Sequence, residues 1–309
     1  MEIGKEIRVF APASVANVTC GFDILGFPLS GTGDELSLIA IEEPIIRIKS
    51  IEGFDLPLDP EKNVAGVVIK KFIQDMNIKT GFELSIKKGI KPGSGMGSSA
   101  ASAAAAAFAV NELAGNPLST KELVKYAMEG EKLASGIPHA DNVAPALLGD
   151  FVLIRSYEPL DIIQLKAPEE LYCTVVHPHI QVKTEDSRMI LKKQISLKKA
   201  IEQWGNVAGL ITGILTSDYP LIGRSMQDVI IEPVRSILIP KFDEVKRSVL
   251  KAGALGCGIS GSGPSIFTLS KGERNAQNVQ DTMRKIYQNI VVGFDIHVSK
   301  INKQGTYVI

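Results

Sequence analysis

Pro92-Gly93-Ser94-Gly95-Met96-Gly97-Ser98-Ser99 runs straight into an alanine-rich stretch that ends at Val110. Glycine at every second position lets the backbone take left-handed conformations and come close to a ligand, and the serine pair then opens a strongly helical segment. Main-chain N–H groups of such a loop converge on phosphate oxygens, and the positive end of the following helix adds to the attraction. The segment reads as a nucleotide phosphate site, although the same residues would also suit a flexible hinge before a buried helix. Of the two serines, one is expected to cap the helix while the other faces a Mg2+ ion.

Better-known glycine loops set a different helper residue beside the phosphates. A Walker A loop ends in Gly-Lys-Ser/Thr, whereas Gly97 is followed by Ser98. The dinucleotide fingerprint wants a third glycine at the Ser98 position and a carboxylate about twenty residues on; Glu112 is the only acid between Ser98 and Leu118. Neither motif fits. At 309 residues the chain exceeds the usual compact domain, so two domains sharing a cleft are expected.

The 34 basic residues balance the 34 acidic ones. That leaves no basic field for nucleic acid or an anionic membrane and points to a small-molecule partner. Cys20, Cys173 and Cys257 are widely spaced and form no Cys-x-x-Cys pair, which suits a reducing, cytoplasmic compartment without disulfides or a zinc ribbon. The start, Met1-Glu2-Ile3-Gly4-Lys5-Glu6, is too charged for a secretory signal, and Ala100 to Val110 is too short to span a bilayer.

Strands are expected at Ile7 to Phe10, Leu36 to Ile41, Ile45 to Ser50, Phe82 to Lys87, Phe151 to Arg155 and Asp161 to Leu165. Helices are expected at Asn63 to Met76, Ser98 to Leu113 and Lys121 to Ala134, each opened by capping residues. After Ala167-Pro168 comes a strand at Leu171 to His177, then helices at Ser187 to Lys193, Leu197 to Ser217 and Phe242 to Ala252. Two apolar stretches follow around a glycine-serine turn within Ala254 to Leu269, then a helix at Glu273 to Gln288 and a strand at Asp295 to Lys300. The class is α+β, with the second half suited to a ferredoxin-like split βαβ layer. The division falls near Ala167, giving units 1–167 and 168–309.

Three segments carry the chemistry: Ala11-Pro12-Ala13-Ser14-Val15-Ala16-Asn17 through Gly21-Phe22-Asp23-Ile24-Leu25-Gly26, the Pro92 to Ser102 loop, and Gly258-Ile259-Ser260-Gly261-Ser262-Gly263-Pro264-Ser265. Together they resemble the GHMP family of small-molecule kinases, with the glycine loop matching the family's ATP motif. The resemblance implies a two-domain GHMP kinase fold, an N-terminal ribosomal-protein-S5-like α/β domain followed by a C-terminal ferredoxin-like domain. The Pro-Ala-Ser-x-Ala-Asn and Gly-Phe-Asp-x-Leu-Gly runs, with Pro138-His139-Ala140-Asp141-Asn142-Val143-Ala144-Pro145 and Glu232-Pro233-Val234-Arg235, are similar to members acting on L-homoserine. That implies phosphorylation of the homoserine side-chain hydroxyl by ATP in threonine biosynthesis. Val18-Thr19-Cys20 and Met96 depart from the usual pattern without removing a polar group, since both Met and Cys pack as apolar residues.

By this resemblance ATP is held by Asn63 and by Pro92, Gly93, Ser94, Gly95, Met96, Gly97, Ser98, Ser99, Ala100, Ala101 and Ser102. Mg2+ falls to Ser99 and Glu131; Glu131 alone would read as a solvent-facing charge. Arginine offers a planar fork for an amino-acid carboxylate, and Arg188 and Arg235 match the carboxylate positions. Asp23, set among apolar neighbours, needs a partner and is expected to meet the substrate with Asn17, His139, Asp141 and Gly261. Asn17 would equally close an Asx-turn, and His139 would equally be a core imidazole. Asn142, Thr184 and Arg188 are expected nearest the reacting groups, with no strong general base because an amide at position 142 takes no proton. A homodimer is expected only because related kinases form one.

Overall fold

The computed structural model describes residues 2–182 and 184–309. The first half is a mixed sheet backed by helices. Strands β1 (Glu6–Ala16), β2 (Leu25–Ile41), β3 (Ile46–Glu52) and β4 (Gly81–Lys87) lie in the order β1-β2-β4-β3. Along β2 the residues Leu36, Leu38 and Ala40 are buried while Ser37, Ile39 and Ile41 are half-exposed, the two-residue period of a strand with one face on the core. Helices α1 (Val64–Met76), α2 (Ser98–Leu113) and α4 (Val143–Leu148) pack on the sheet, and α3 (Thr120–Ser135) packs on those helices. Strands β5 (Phe151–Tyr157) and β6 (Leu160–Leu165) form a hairpin paired to the start of β2.

The alanine run explains where α2 sits. It contacts β1 and β2 on one side and α1, α3 and α4 on others, so its side chains are buried nearly all round. A helix apolar on every face belongs inside a domain, and alanine keeps full helix propensity while letting neighbours approach closely. The expectation that a serine caps α2 is corrected. Gly97 is the N-cap, in a left-handed conformation, with no side-chain cap bond. Ser98 Oγ instead donates to the Ile90 carbonyl at 2.8 Å.

The second half opens with β7 (Leu171–Pro178) and the short α5 (Thr184–Met189), then α6 (Leu197–Thr216), α7 (Tyr219–Ser225), α8 (Glu232–Arg235) and α9 (Phe242–Lys251). Strands β8 (Ala254–Ile259) and β9 (Ile266–Lys271), helix α10 (Glu273–Tyr287) and strand β10 (Phe294–Lys300) complete it. The strands lie in the order β10-β7-β9-β8, antiparallel throughout, the arrangement of a split βαβ layer. Buried Ala276, Val279, Met283 and Tyr287 give α10 its core-facing stripe.

Several boundaries differ from the sequence reading. The strand expected at Ile7 to Phe10 continues to Ala16 as β1, and β2 begins eleven residues before Leu36, at Leu25. The helix expected at Ser187 to Lys193 is α5, which ends at Met189. After Lys300 the chain returns to the first sheet, where β11 (Tyr307–Val308) pairs with β1 and Ile301 bridges Leu29. Residues 301–309 thus pack on the first sheet although a division at Ala167 assigns them to the second half. Among the described residues no helix is long and apolar enough to cross a membrane.

Candidate active site

A cleft of about 720 Å³ lies between the glycine loop, the Asn17–Asp23 segment and the turn after β8. The loop is held in shape from both halves of the molecule. Gly93, Gly95 and Gly97 all have positive φ. A Cβ on Gly95 would lie 2.6 Å from the Ser260 carbonyl oxygen, and one on Gly97 2.1 Å from Ser14 Oγ, so the close approach requires glycine at both. Ser14 N–H donates to the Met96 carbonyl at 3.1 Å, Ser260 Oγ to that of Gly95 at 2.7 Å and Ser265 Oγ to that of Ser94 at 2.6 Å. With those carbonyls taken by the protein, the negative ends of three peptide dipoles are kept away from an anion.

Beneath the loop lies a buried ion pair that sequence reading missed. Lys88 Nζ bonds the Asp34 carboxylate, the Ser98 carbonyl at 2.8 Å and Ser102 Oγ at 3.0 Å. Asp34 in turn accepts from the N–H groups of Gly89 and Ile90 and from the Ser102 hydroxyl. Burial lowers the Lys88 pKa and the Asp34 charge opposes that shift. The network fixes the first turn of α2. Pro92, Gly93, Gly95, Gly97, Ser98, Ser99 and Ser102 line the cleft, whereas Ser94, Met96, Ala100 and Ala101 are buried in the packing behind it.

Glu131, on α3, is buried, and its Oε1 has no hydrogen-bond partner. Burial raises its pKa, opposed by the Ser99 hydroxyl and then by Lys88. An orphaned carboxylate oxygen beside a serine hydroxyl, both lining the cleft, fits a hard divalent cation that takes most of its other ligands from phosphate and water. Asn63 also lines the cleft, but its side chain caps α1 through Ala65 N–H at 3.0 Å and donates to the Pro57 carbonyl at 2.9 Å.

The other end of the cleft is built on strained backbone. Asn17, Val18, Thr19 and Asp23 all have positive φ, a conformation that costs free energy in non-glycine residues and persists only where surrounding bonds impose it. Asn17 supplies those bonds, donating to the Gly261 carbonyl at 2.7 Å and accepting from Asp23 N–H at 3.0 Å. Tyr157 Oη donates to the Asp23 carbonyl at 2.7 Å. Asp23 is thereby aimed at Arg188, whose Nη2 reaches its Oδ1 at 2.5 Å.

Arg188 and Arg235 are brought together around Phe22, with guanidinium carbons 5.2 and 5.0 Å from its ring centre. Arg235 is buried, donating to the Ser187 and Gly261 carbonyls at 3.0 and 3.3 Å. Burial, then the Arg188 charge, push its pKa down to about 10, so it stays cationic at neutral pH. Asp141 is buried, and burial followed by the charges of Asp23 and Glu131 raises its pKa to about 8. His139, 3.9 Å from Asp23, has its pKa lowered chiefly by burial; its Nε2 has no partner. Asn142 joins the two ends. Its Oδ1 accepts from Ser14 Oγ at 2.7 Å, and the side chain lines the cleft. Thr184 opens α5, and its side chain lies outside the described residues.

Residues 63–150 match the model for the GHMP kinases N terminal domain, and residues 210–289 that for GHMP kinases C terminal. The chain belongs to the GHMP kinase family. A homoserine kinase from Chlorobium phaeobacteroides (strain BS1) is 50% identical, covering 99% of this chain and 100% of that one. One from Methanococcus maripaludis (strain C5) is 44% identical over 87% and 89%. The crystal structure of homoserine kinase from Cytophaga hutchinsonii is 52% identical with a TM-score of 0.96, covering 100% of this chain and 99% of that one. Mevalonate kinase from L. major, at 15% identity and TM-score 0.71 over 94% and 95% of the two chains, shares the fold.

Within this GHMP kinase the residues that sequence reading missed are Ser14, Phe22, Asp34, Lys88 and Tyr157. Ser14 and Phe22 lie inside quoted motifs, where the hydroxyl and the ring gave a signal that was not used. Asp34 lies on β2 and Lys88, 54 positions on, just past the end of β4, and no local pattern joins them.

Proposed function

We propose that this GHMP kinase transfers the γ-phosphoryl group of ATP to the side-chain hydroxyl of L-homoserine, giving O-phospho-L-homoserine, a step of threonine biosynthesis in the cytoplasm. One observation carries the reading. Arg188 and Arg235 flank Phe22 beside Asp23, at the far end of a cleft whose near end is an anion-binding loop. A paired-arginine pocket next to carboxylates suits a zwitterionic amino acid better than a sugar or a hydroxy acid. The names of the full-length relatives support the same substrate. In this reading residues 1–167 supply the ATP side, and residues 168–309 supply Arg188, Arg235 and the Gly261 turn.

Arg188 and Arg235 take the α-carboxylate, while Asp23 and Asp141 take the α-ammonium, with Asn17 and the Gly261 turn shaping that end of the cleft and His139 neutral on the same wall. Binding the ammonium favours ionised Asp141 and draws its proton off. The hydroxyl is then directed toward Asn142, where the loop N–H groups and the start of α2 hold the phosphates. Catalysis comes from alignment and from fixed dipoles aimed at developing charge. Asn142 Oδ1 already accepts from Ser14 and an amide is no base, so the hydroxyl proton leaves through the phosphate or water. Glu131 and Ser99 would hold Mg2+, which when bound neutralises phosphate charge. Asn63 lies on the nucleotide side, and Thr184 enters near the reacting groups by family resemblance.

The test is an acceptor panel with ATP and Mg2+, comparing initial rates for L-homoserine, mevalonate, galactose and shikimate. Turnover of homoserine alone is expected. Clear turnover of another alcohol with none of homoserine would overturn the reading.

A further inference from the structure

The acceptor end of the cleft is assembled from two pieces of chain that lie far apart in sequence, the Asn17–Asp23 segment and the four-residue α8, which carries Arg235. Neither piece holds its own shape. Asn17, Val18, Thr19 and Asp23 have positive φ, and α8 has no side-chain cap bond from its own N-cap, Ile231. The place of Arg235 relative to Asp23 is therefore set by bonds from outside both.

Gln203 on α6 supplies such bonds. It is 7% exposed and is not among the residues that line the cleft, and both ends of its carboxamide are engaged. Nε2 donates to the Cys20 carbonyl and to Asp228 Oδ1, both at 3.0 Å, while Oε1 accepts from Val229 N–H at 3.0 Å. One amide proton thus goes to each piece of chain. Asp228 passes the link to α8, its Oδ1 accepting from the N–H groups of Ile230 and Ile231 at 2.9 Å each and its Oδ2 from that of Glu232 at 2.8 Å. Those are N–H groups that a helix start leaves unpaired. On the other side Cys20 leads through Gly21 into Phe22 and Asp23, and the Phe22 ring meets the Arg235 guanidinium at 5.0 Å. Asn17 and Arg235 also converge on the Gly261 carbonyl, but those groups line the cleft, whereas the Gln203 bridge lies behind it.

We propose that Gln203 is a positioning residue for acceptor recognition. Through Cys20 and Asp228 it holds the Phe22–Asp23 segment and the Arg235 helix at the separation that the ammonium and carboxylate of one α-amino acid require. The proposal rests on the cleft being an amino-acid site. Gln203 acts on the acceptor end alone, since its bonds run to Cys20, Asp228 and Val229 and none of these belongs to the phosphate loop.

The experiment compares the full chain with Gln203→Leu, which keeps the bulk and removes all three bonds, and with Asp228→Asn, which weakens the far side of the same bridge at a half-buried position and leaves α6 untouched. Each variant is expected to raise the KM for L-homoserine at least about tenfold, the worth of roughly one lost charged hydrogen bond. The ratio of kcat/KM for L-homoserine to that for L-homoserine amide should fall by a similar factor, while the KM for ATP and kcat at saturating homoserine stay within about twofold. A residue that only supported the fold would lower the melting temperature and leave that ratio alone. The two substitutions together should cost no more than the worse of them, because they interrupt one link. If Gln203→Leu does not fold, Asp228→Asn carries the same prediction alone. A parent that does not discriminate against the amide overturns the amino-acid reading and this proposal together. A discriminating parent whose variants keep its ratio, or whose two substitutions act additively, overturns the proposal and leaves the amino-acid reading standing.

Discussion

Replacing Lys88 by Met tests whether the buried ion pair is what holds the phosphate loop. Methionine keeps the volume and removes the charge. Asp34 is then left buried with the Gly89 and Ile90 N–H groups and the Ser102 hydroxyl, while the Ser98 carbonyl at the start of α2 loses its Lys88 donor. Removing one member of a buried pair costs about 3–5 kcal/mol, and three surviving donors put this case near the lower end. At about 2 °C per kcal/mol for a chain of this size, the melting temperature falls by roughly 6 °C. A freed first turn of α2 also blunts the anion site, and losing a charged hydrogen bond of about 1.5 kcal/mol raises the KM for ATP about tenfold. Calorimetry and an ATP titration at saturating homoserine read both effects. Asp34→Asn with Lys88→Met, which leaves no unpaired charge, should recover much of the stability but not the ATP affinity. A single Lys88→Met variant that melts within about 1 °C of the parent and binds ATP equally well would refute the reasoning.

Other expectations concern the substrate end and the metal. Phe22→Leu removes two cation–π contacts of roughly 0.5–2 kcal/mol each, so kcat/KM for L-homoserine should fall by between about 5- and 1000-fold, while the rate with L-homoserine amide, which lacks the carboxylate, should hardly change. Asp141 has a folded pKa raised to about 8, against about 4 in the unfolded chain, so the folded state keeps that proton while the unfolded chain sheds it, and stability falls as pH rises between those values. Asp141→Asn should therefore raise the melting temperature most at pH 8 and least near pH 5. In the parent enzyme kcat/KM for homoserine should climb about tenfold per pH unit until the free-enzyme pKa of that group is passed. Glu131→Gln should raise the Mg2+ concentration for half-maximal rate at least about tenfold and weaken direct binding of manganese followed by paramagnetic resonance. Unchanged manganese binding would remove Glu131 from the metal site.

How much was legible in the sequence depended on whether a feature was local. The glycine loop, the alanine helix and the second-half order of strands and longer helices could be read because each rests on spacing within one segment, whereas the short α7 and α8 were missed. Helix α4, at Val143–Leu148, escaped because a six-residue apolar run has no helical period to show. The extra length of β1 escaped because Pro12, Ala13 and Ser14 have weak strand propensity, and Pro12 and Ser14 are held by pairing with β2 on either side of a bulge. At the site, Asn17, Asp23 and Arg235 came through motifs and Arg188 through family resemblance. Their dependence on Tyr157, 134 positions from Asp23, appears only once β5 is folded beside β2. The serine cap was misassigned because Gly97 takes the cap position and Ser98 is turned to Ile90, a choice made by the neighbouring strand end rather than by the helix.

The central claim is that this cleft reads an amino-acid carboxylate and phosphorylates the hydroxyl at the other end of the molecule. The most direct measurement is the ratio of kcat/KM for L-homoserine to that for L-homoserine amide, with ATP and Mg2+ saturating. The buried Arg235 and half-buried Arg188 guanidiniums, left without their anion, should discriminate by at least about a thousandfold, as sites built around a polar substrate group do. A ratio within about threefold of unity would mean less than 1 kcal/mol of carboxylate recognition and would contradict the account.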